Sequence, residues 1–186
     1  MKYLIASDLH GSAYWCEKLM QAFARERADK LILLGDLLYH GPRNPLPEGH
    51  DAKRTAQLLN SVKDKILCVR GNCDAEVDQV LLEFPIFAEN LLLEQNGKTV
   101  FCTHGHHYSP QNPPYLNRGD VLLTGHTHVV AKERTETFTY LNPGSVALPK
   151  GNGQRGYLTL EKGKFVFCRL DGETTDEYDM ASFEVK

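Results

Sequence analysis

At 186 residues the chain is the size of one domain, and a chain of that size buries roughly 70% of its unfolded surface, enough for a three- or four-layer α/β core. Its 21 basic and 24 acidic residues leave a net charge of -3, with no Lys/Arg run long enough to track a nucleic-acid backbone, so a small substrate is expected rather than a polymer. The five cysteines (Cys16, Cys68, Cys73, Cys102, Cys168) are odd in number and scattered without a C-x-x-C pair, which argues against a disulfide framework or a structural zinc site and for mostly reduced core thiols.

One Lys and a short apolar run precede Ser7-Asp8, too brief for a signal-peptide core or a membrane span, so a cytoplasmic protein with no membrane partner is expected. Lys2 to Ala6 reads as a first strand, and Ser7-Asp8-Leu9-His10-Gly11 as the loop leaving it. From Ser12, an N-cap residue, to about Arg27, Trp15, Leu19, Ala22 and Phe23 recur at helical spacing. Leu31-Ile32-Leu33-Leu34 then reads as a strand buried on both faces, delivering Gly35-Asp36 at its carboxyl end. A right-handed βαβ unit brings Asp8, His10 and Asp36 to one edge, because parallel strands of one sheet end on the same side.

The Pro/Gly-rich stretch 40–50 is a loop forming one rim of a site. Residues 51–61 read as a helix and Lys65 to Val69 as a short buried strand ending at Arg70-Gly71-Asn72-Cys73-Asp74. Phe87 to Glu94 and Thr99 to Thr103 flank the hairpin signal Asn96-Gly97, and the second of them runs into His104-Gly105-His106-His107. After a Pro/Asn-rich loop from Tyr108 to Gly119, Asp120 to Thr124 is a further buried strand followed by Gly125-His126-Thr127-His128. Two hairpins follow: Val129 to Arg134 against Thr137 to Leu141, then Gly156 to Leu160 against Lys164 to Leu170. Both are expected to complete a second sheet, with Asn142-Pro143-Gly144-Ser145 as a turn between them and 173–179 as a solvated acidic segment.

Five strand ends thus carry Asp8 and His10, Asp36, Asn72, His104, and His126 with His128. Taken singly, Asp8 could equally cap the following helix, Asp36 and Asn72 could be turn formers, and His104 could be an ordinary core histidine. Taken together, seven carboxylate, amide and imidazole groups at successive strand ends point to divalent cations, and seven ligands suit two ions sharing one of them. The i, i+2 spacing of His126 and His128 is read as sending the two imidazoles to different metals. His40, Arg43, His106, His107, Tyr108 and Tyr115 are lesser candidates for substrate contact, with exposure on loops as the plainer alternative.

The residues resemble the calcineurin-like metallophosphoesterases, whose motif series is matched by Asp8-Leu9-His10, Gly35-Asp36, Gly71-Asn72, His104 and Gly125-His126-Thr127-His128. The short length, Gly71-Asn72-Cys73-Asp74 and Asn142-Pro143-Gly144-Ser145 resemble the small bacterial phosphodiesterase branch of that superfamily. The resemblance implies a four-layer αββα sandwich of two mixed β-sheets flanked by helices, spanning residues 1–186. It also implies one metal held by Asp8, His10, Asp36 and His128, and a second by Asp36, Asn72, His104 and His126. Manganese fits this donor set first, with iron, zinc or nickel as other divalent occupants.

The expected reaction is hydrolysis of a small phosphodiester by in-line attack of a hydroxide held between the two ions, with Asp36, Asn72, Cys73 and His104 closest to the chemistry. Cys73 departs from the pattern, since many superfamily members carry a histidine there that can protonate the leaving oxygen. A thiol beside two cations is expected to have a lowered pKa, and a thiolate donates no proton, although Cys73 as a mere space-filler stays open. Two other functions stand beside this one: a non-catalytic protein-binding scaffold like the retromer subunit of the superfamily, and a phosphatase or dinucleoside-polyphosphate hydrolase. A scaffold has no need of all seven ligands, and the other hydrolases usually carry the histidine that Cys73 replaces. Exposed hairpin edges in the C-terminal part make a homo-oligomer an expectation.

Overall fold

The computed structural model describes residues 1–183. Strand β1 (Lys2–Ala6) is followed by helix α1 (Ala13–Glu26) and strand β2 (Lys30–Leu33), and β1 and β2 pair in parallel with Ile5 opposite Ile32. Helix α1 starts where Ser12 accepts a hydrogen bond from the Trp15 amide and ends at Arg27, whose left-handed φ of 50° stops the helix. It buries Ala13, Cys16, Leu19, Ala22 and Phe23 on the sheet. Because Ser12 makes this cap, Asp8 is left for another purpose.

Helix α2 (Ala52–Asn60) is capped by Asp51 and leads into β3 (Ile66–Cys68), which extends the sheet beyond β2. The chain then makes a short helix, α3 (Glu76–Leu81), which has no apolar periodicity of its own and was not expected. It is pinned by Asp78, whose carboxylate accepts from the Ala75 amide. The hairpin β4 (Leu91–Gln95) and β5 (Lys98–Cys102) turns at Asn96 and Gly97 with φ of 55° and 73°, the two positive angles that a two-residue I′ turn requires. Residues 87–90, read as strand, lie outside β4.

Strand β6 (Val121–Leu123), β7 (Val130–Arg134) and β8 (Thr139–Pro143) join that hairpin in a second sheet of order β4-β5-β6-β8-β7. Asn142 and Pro143 belong to β8, so the expected turn begins only at Gly144. The last hairpin, β9 (Gly156–Glu161) with β10 (Lys164–Arg169), does not join this sheet. It pairs with β1, Ile5 facing Leu158, in a first sheet of order β11-β10-β9-β1-β2-β3. The reason is its two-sided burial: Tyr157 belongs to the core under the helices, Leu158 and Leu160 to the core between the sheets. Only a strand inside a covered sheet can satisfy both.

The acidic stretch is likewise a strand, β11 (Thr174–Asp179), on the edge of the first sheet. Its charges face water, as suits an edge, while Tyr178 turns inward to stack on Phe165 and accept from the Thr139 hydroxyl. Two mixed sheets therefore face one another across Ile5, Ile32, Val100, Val121, Leu141 and Phe165, and helices cover the first sheet through Leu4, Leu31, Leu19 and Phe23. Truncating a fully buried residue such as Phe165 to Ala should cost about 3–5 kcal/mol. Over the outer face of the second sheet, Leu122 and Phe138 are covered by Leu116 from the irregular segment 105–119, so the fourth layer there is loop rather than helix. The sandwich itself is the architecture expected, with four of five cysteines buried and all five free.

Candidate metal centre

The two parallel strands do not simply end; they stay laced together beyond the sheet. Asp8 N donates to Gly35 O, His10 N to Asp36 O and Gly11 N to Leu37 O. This lacing holds Asp8, His10 and Asp36 with φ of 60°, 47° and 56°, a region that side-chain-bearing residues rarely adopt. His126 and His128 are also left-handed, at 65° and 63°. Of eight such non-glycine residues among those described, five are candidate ligands, and at least Arg27 and Asn96 of the others serve caps or turns. Strain of this kind costs roughly 1–3 kcal/mol per residue and persists where surrounding contacts force it.

The forcing contacts are visible. Asp74, buried, accepts from the amides of Asp36, Leu37 and Gly71, tying the Asp36 turn to the loop carrying Asn72. Gly35, at φ 94°, lies so close that an added Cβ would stand 2.5 Å from Gly71 N. At Gly125 a Cβ would collide with Ser7 Oγ, so only glycine lets the His126 loop approach Asp8. From the other side Ser145 Oγ donates to Asp8 O and Asn142 Nδ2 to Gly125 O.

The seven predicted side chains meet in two groups. In one, Asp8 Oδ1 lies 3.2 Å from His128 Nε2 and 3.6 Å from His10 Nε2, with Asp36 Oδ2 3.8 Å from His10 Nε2. In the other, Asp36 Oδ2 lies 3.4 Å from His104 Nε2, which is 3.1 Å from Asn72 Oδ1 and 3.2 Å from His126 Nδ1. His126 and His128 do diverge, but not for the reason inferred from spacing. In an extended loop residues i and i+2 share a side; the left-handed backbone at both positions is what separates them.

The donor chemistry tests whether cations fit. His10 Nδ1 is 2.9 Å from Tyr39 O, His104 Nδ1 2.6 Å from Leu34 O, and His128 Nδ1 2.7 Å from Leu148 O. A carbonyl only accepts, so each Nδ1 carries the proton and each neutral ring aims a lone pair inward. His10 Nε2 and His128 Nε2 then face each other at 3.1 Å, and the buried Asp8 Oδ1 has no hydrogen-bond partner among the described residues. A buried cage of acceptors is stable only with positive charge inside it.

Without cations, protons fill that role. Burial opposes charge on His104, yet its hydrogen bond to Asp36 and the charges of Asp8 and Asp36 raise it to about 9. His10 is raised against its burial by Asp8. Burial would also raise Asp8, but the neighbouring His10, His128 and His104 imidazoles hold its carboxyl well below the usual range.

Cys73 sits beside the cage, half-buried, its amide donating to Asp36 Oδ1. With His10 and Asp36 it forms a third cluster of potential metal-binding atoms, which its reading as a non-ligand did not foresee. Burial and the neighbouring Asp36 push the thiol up to about 12, opposite to the lowering expected from cations. Tyr115 is 90% exposed, which counts against a part in the site. Roles for Asp74, Ser145 and Asn142 were missed; Asp74, two residues past Asn72, was the one adjacent signal.

A cage of carboxylates and imidazoles beside an open cleft defines a class of protein built to hold divalent cations against a ligand. The chain belongs to the calcineurin-like phosphoesterase superfamily, whose domain model matches residues 1–164. It is 50% identical over 177 residues to phosphodiesterase YfcE of Escherichia coli K12, covering 94% of this chain and 95% of the relative. It is 28% identical to the probable metallophosphoesterase YsnB of Bacillus subtilis. The solved structure of YfcE, described as a phosphoesterase from E. coli, superposes with a TM-score of 0.91 at 43% identity over 97% of this chain and all of that one. Zinc-bound Vps29 from Entamoeba histolytica shares the fold, with a TM-score of 0.63 at 20% identity.

Proposed function

We propose that the chain is a metal-dependent phosphoric diester hydrolase that acts on small phosphodiesters with two divalent cations in the cage. The observation that carries this reading is the inward-facing set of acceptors: three imidazoles with their protons committed to backbone carbonyls, and a buried Asp8 oxygen without a donor. Asp8, His10, Asp36 and His128 would hold one cation, and Asp36, Asn72, His104 and His126 the other. Such a pair, when bound, supplies an activated water and the charge that clamps the phosphate ester. Manganese is the first choice, because carboxylate and amide oxygens with imidazoles suit it.

The chain's own groups do the rest. Asp36, shared by both groups, would be the ligand common to the two cations, and its left-handed turn is fixed by Asp74. Asn72, exposed at the rim, and His126 both line the cleft and would meet an ester oxygen that enters it. The cleft in front has a volume of about 540 Å³, room for a small ligand. A complete ligand set argues against the scaffold reading. The test is an assay of chelated protein, reloaded with each divalent ion, on phosphomonoesters, phosphodiesters and nucleotides. Preferential diester hydrolysis that depends on added metal is expected; no hydrolysis by fully loaded protein would overturn the proposal.

A further inference from the structure

The cleft in front of the cage is lined by one carboxylate, Asp36, and by two cations that no ligand role absorbs, Arg43 and Lys150. They come from separate loops. Arg43 sits in the 40–45 segment, stiffened by Pro42 and Pro45 and tied back where Asn44 Nδ2 donates to His40 O. Lys150 is attached to the cage directly, its amide donating to the carbonyl of His128 at 2.9 Å. Both side chains are exposed to the cleft's solvent, and none of the ion pairs among the described residues involves either of them.

Charge decides what such a cleft accepts. Asp8 and Asp36 bring two negative charges to a cage suited to two divalent cations, which leaves the centre about two units positive, before Arg43 and Lys150 are counted. A simple diester carries a single negative charge at the group being cleaved. On a chain whose net charge is -3, two cations without ion-pair partners among the described residues, lining the cleft beside the cage, match a substrate with a further anionic group.

Resting on the diesterase reading above, we propose that Arg43 and Lys150 form a second anion subsite, so that the favoured substrates are phosphodiesters bearing an additional phosphate on the organic part. The cleft volume of about 540 Å³ leaves room for a nucleotide-sized group beyond the reacting phosphate. Both residues act by binding and orienting that distal anion, and neither is required to touch the reacting atoms.

Two esters differing only in that anion test it: thymidine 5′-(p-nitrophenyl phosphate) and its 3′-phosphorylated counterpart. The native enzyme is expected to favour the 3′-phosphorylated ester in kcat/KM, with the preference shrinking as salt rises. Arg43→Ala with Lys150→Ala should cut that ratio at least tenfold, mainly through KM, while Arg43→Lys and Lys150→Arg should keep most of it. No preference in the native enzyme, or an equal fall for both esters in the double variant, would overturn the subsite. If neither ester is turned over, the diesterase reading fails, and calorimetric binding of thymidine 3′,5′-bisphosphate still decides the subsite. Affinity lost in the double variant and kept in the Lys/Arg exchanges upholds it; affinity equal in native and variant protein sinks it.

Discussion

The two halves of the cage are built differently. Asp8, His10 and His128 are 0%, 0% and 3% exposed, with each imidazole locked by a backbone carbonyl and the Asp8 backbone braced by Ser145. Across Asp36, only His104 is comparably buried and locked; Asn72 is exposed and His126 half-buried. Asn72 is held by little more than its contacts with Cys73 Sγ and His104. The deep half is preorganised by main-chain partners, whereas the rim half leaves two ligands free to adjust. A preorganised cage loses little freedom on binding an ion, so the deep half should bind more tightly.

The largest effect should come from the residue both halves share. Asp36→Asn removes the charge between the two groups and should lower kcat/KM by roughly three orders of magnitude or more, with both ions bound weakly. Full activity in that variant would break the comparison at its root, because nothing would then join the halves. Next come variants that separate them. After dialysis, His126→Ala or Asn72→Ala should retain about one ion per chain by elemental analysis, whereas His10→Ala or His128→Ala should retain less. Equal retention in all four would mean that burial does not rank the halves.

Acidity sharpens the comparison through stability. In chelated protein, His104 is raised from 6.5 to about 9, so its protonated form stabilises the fold fully below pH 6.5 and loses that contribution as pH rises through about 9. The lowered Asp8 and Asp36 act in the other direction: their contribution is present above about 4 and is lost as pH falls through their lowered values. Chelated protein should therefore lose on the order of a few kcal/mol between pH 6.5 and 10, seen as a fall in Tm of roughly 5–10 °C. Bound cations displace those protons, so metal-loaded protein should show no such descent, and metal affinity should climb over the same interval. Superimposable Tm profiles with and without metal would remove protonation as the stand-in for cations.

The motifs were legible because each ligand follows an apolar strand, and parallel strands must finish on one side. The site's local geometry was not. Histidines at positions 10, 126 and 128 in left-handed backbone follow from lacing between segments distant in sequence, which no window of residues contains. For the same reason the divergence of His126 and His128 was foreseen on a wrong argument. Placement of β9 and β10 turned on which of two cores Tyr157 and Leu158 fill, a choice that alternation alone leaves open. The charged 173–179 stretch looked solvated because one inward residue, Tyr178, is all that an edge strand needs.

The smallest effect expected is at Cys73, between the shared Asp36 and the rim loop. Its amide binds Asp36 Oδ1, and its Sγ lies 3.1 Å from where a Cβ on Gly41 would stand, so the 40–45 loop rests against the thiol. Burial and Asp36 raise the thiol to about 12 while cations would pull it down, and neither extreme makes a proton donor suited to neutral pH. Histidine, whose unperturbed pKa is near 6.5, supplies a donor that starts closer to neutral pH, at the cost of moving Gly41 aside. Cys73→His should leave both ions in place and raise activity on diesters with poor leaving groups several-fold, flattening the dependence of rate on leaving-group pKa across an aryl series. The rim can accept such a ring because Asn72 is exposed and held by few contacts. An unchanged slope with intact metal content would show that position 73 only fills space, and that the rim tunes ion binding without tuning proton transfer.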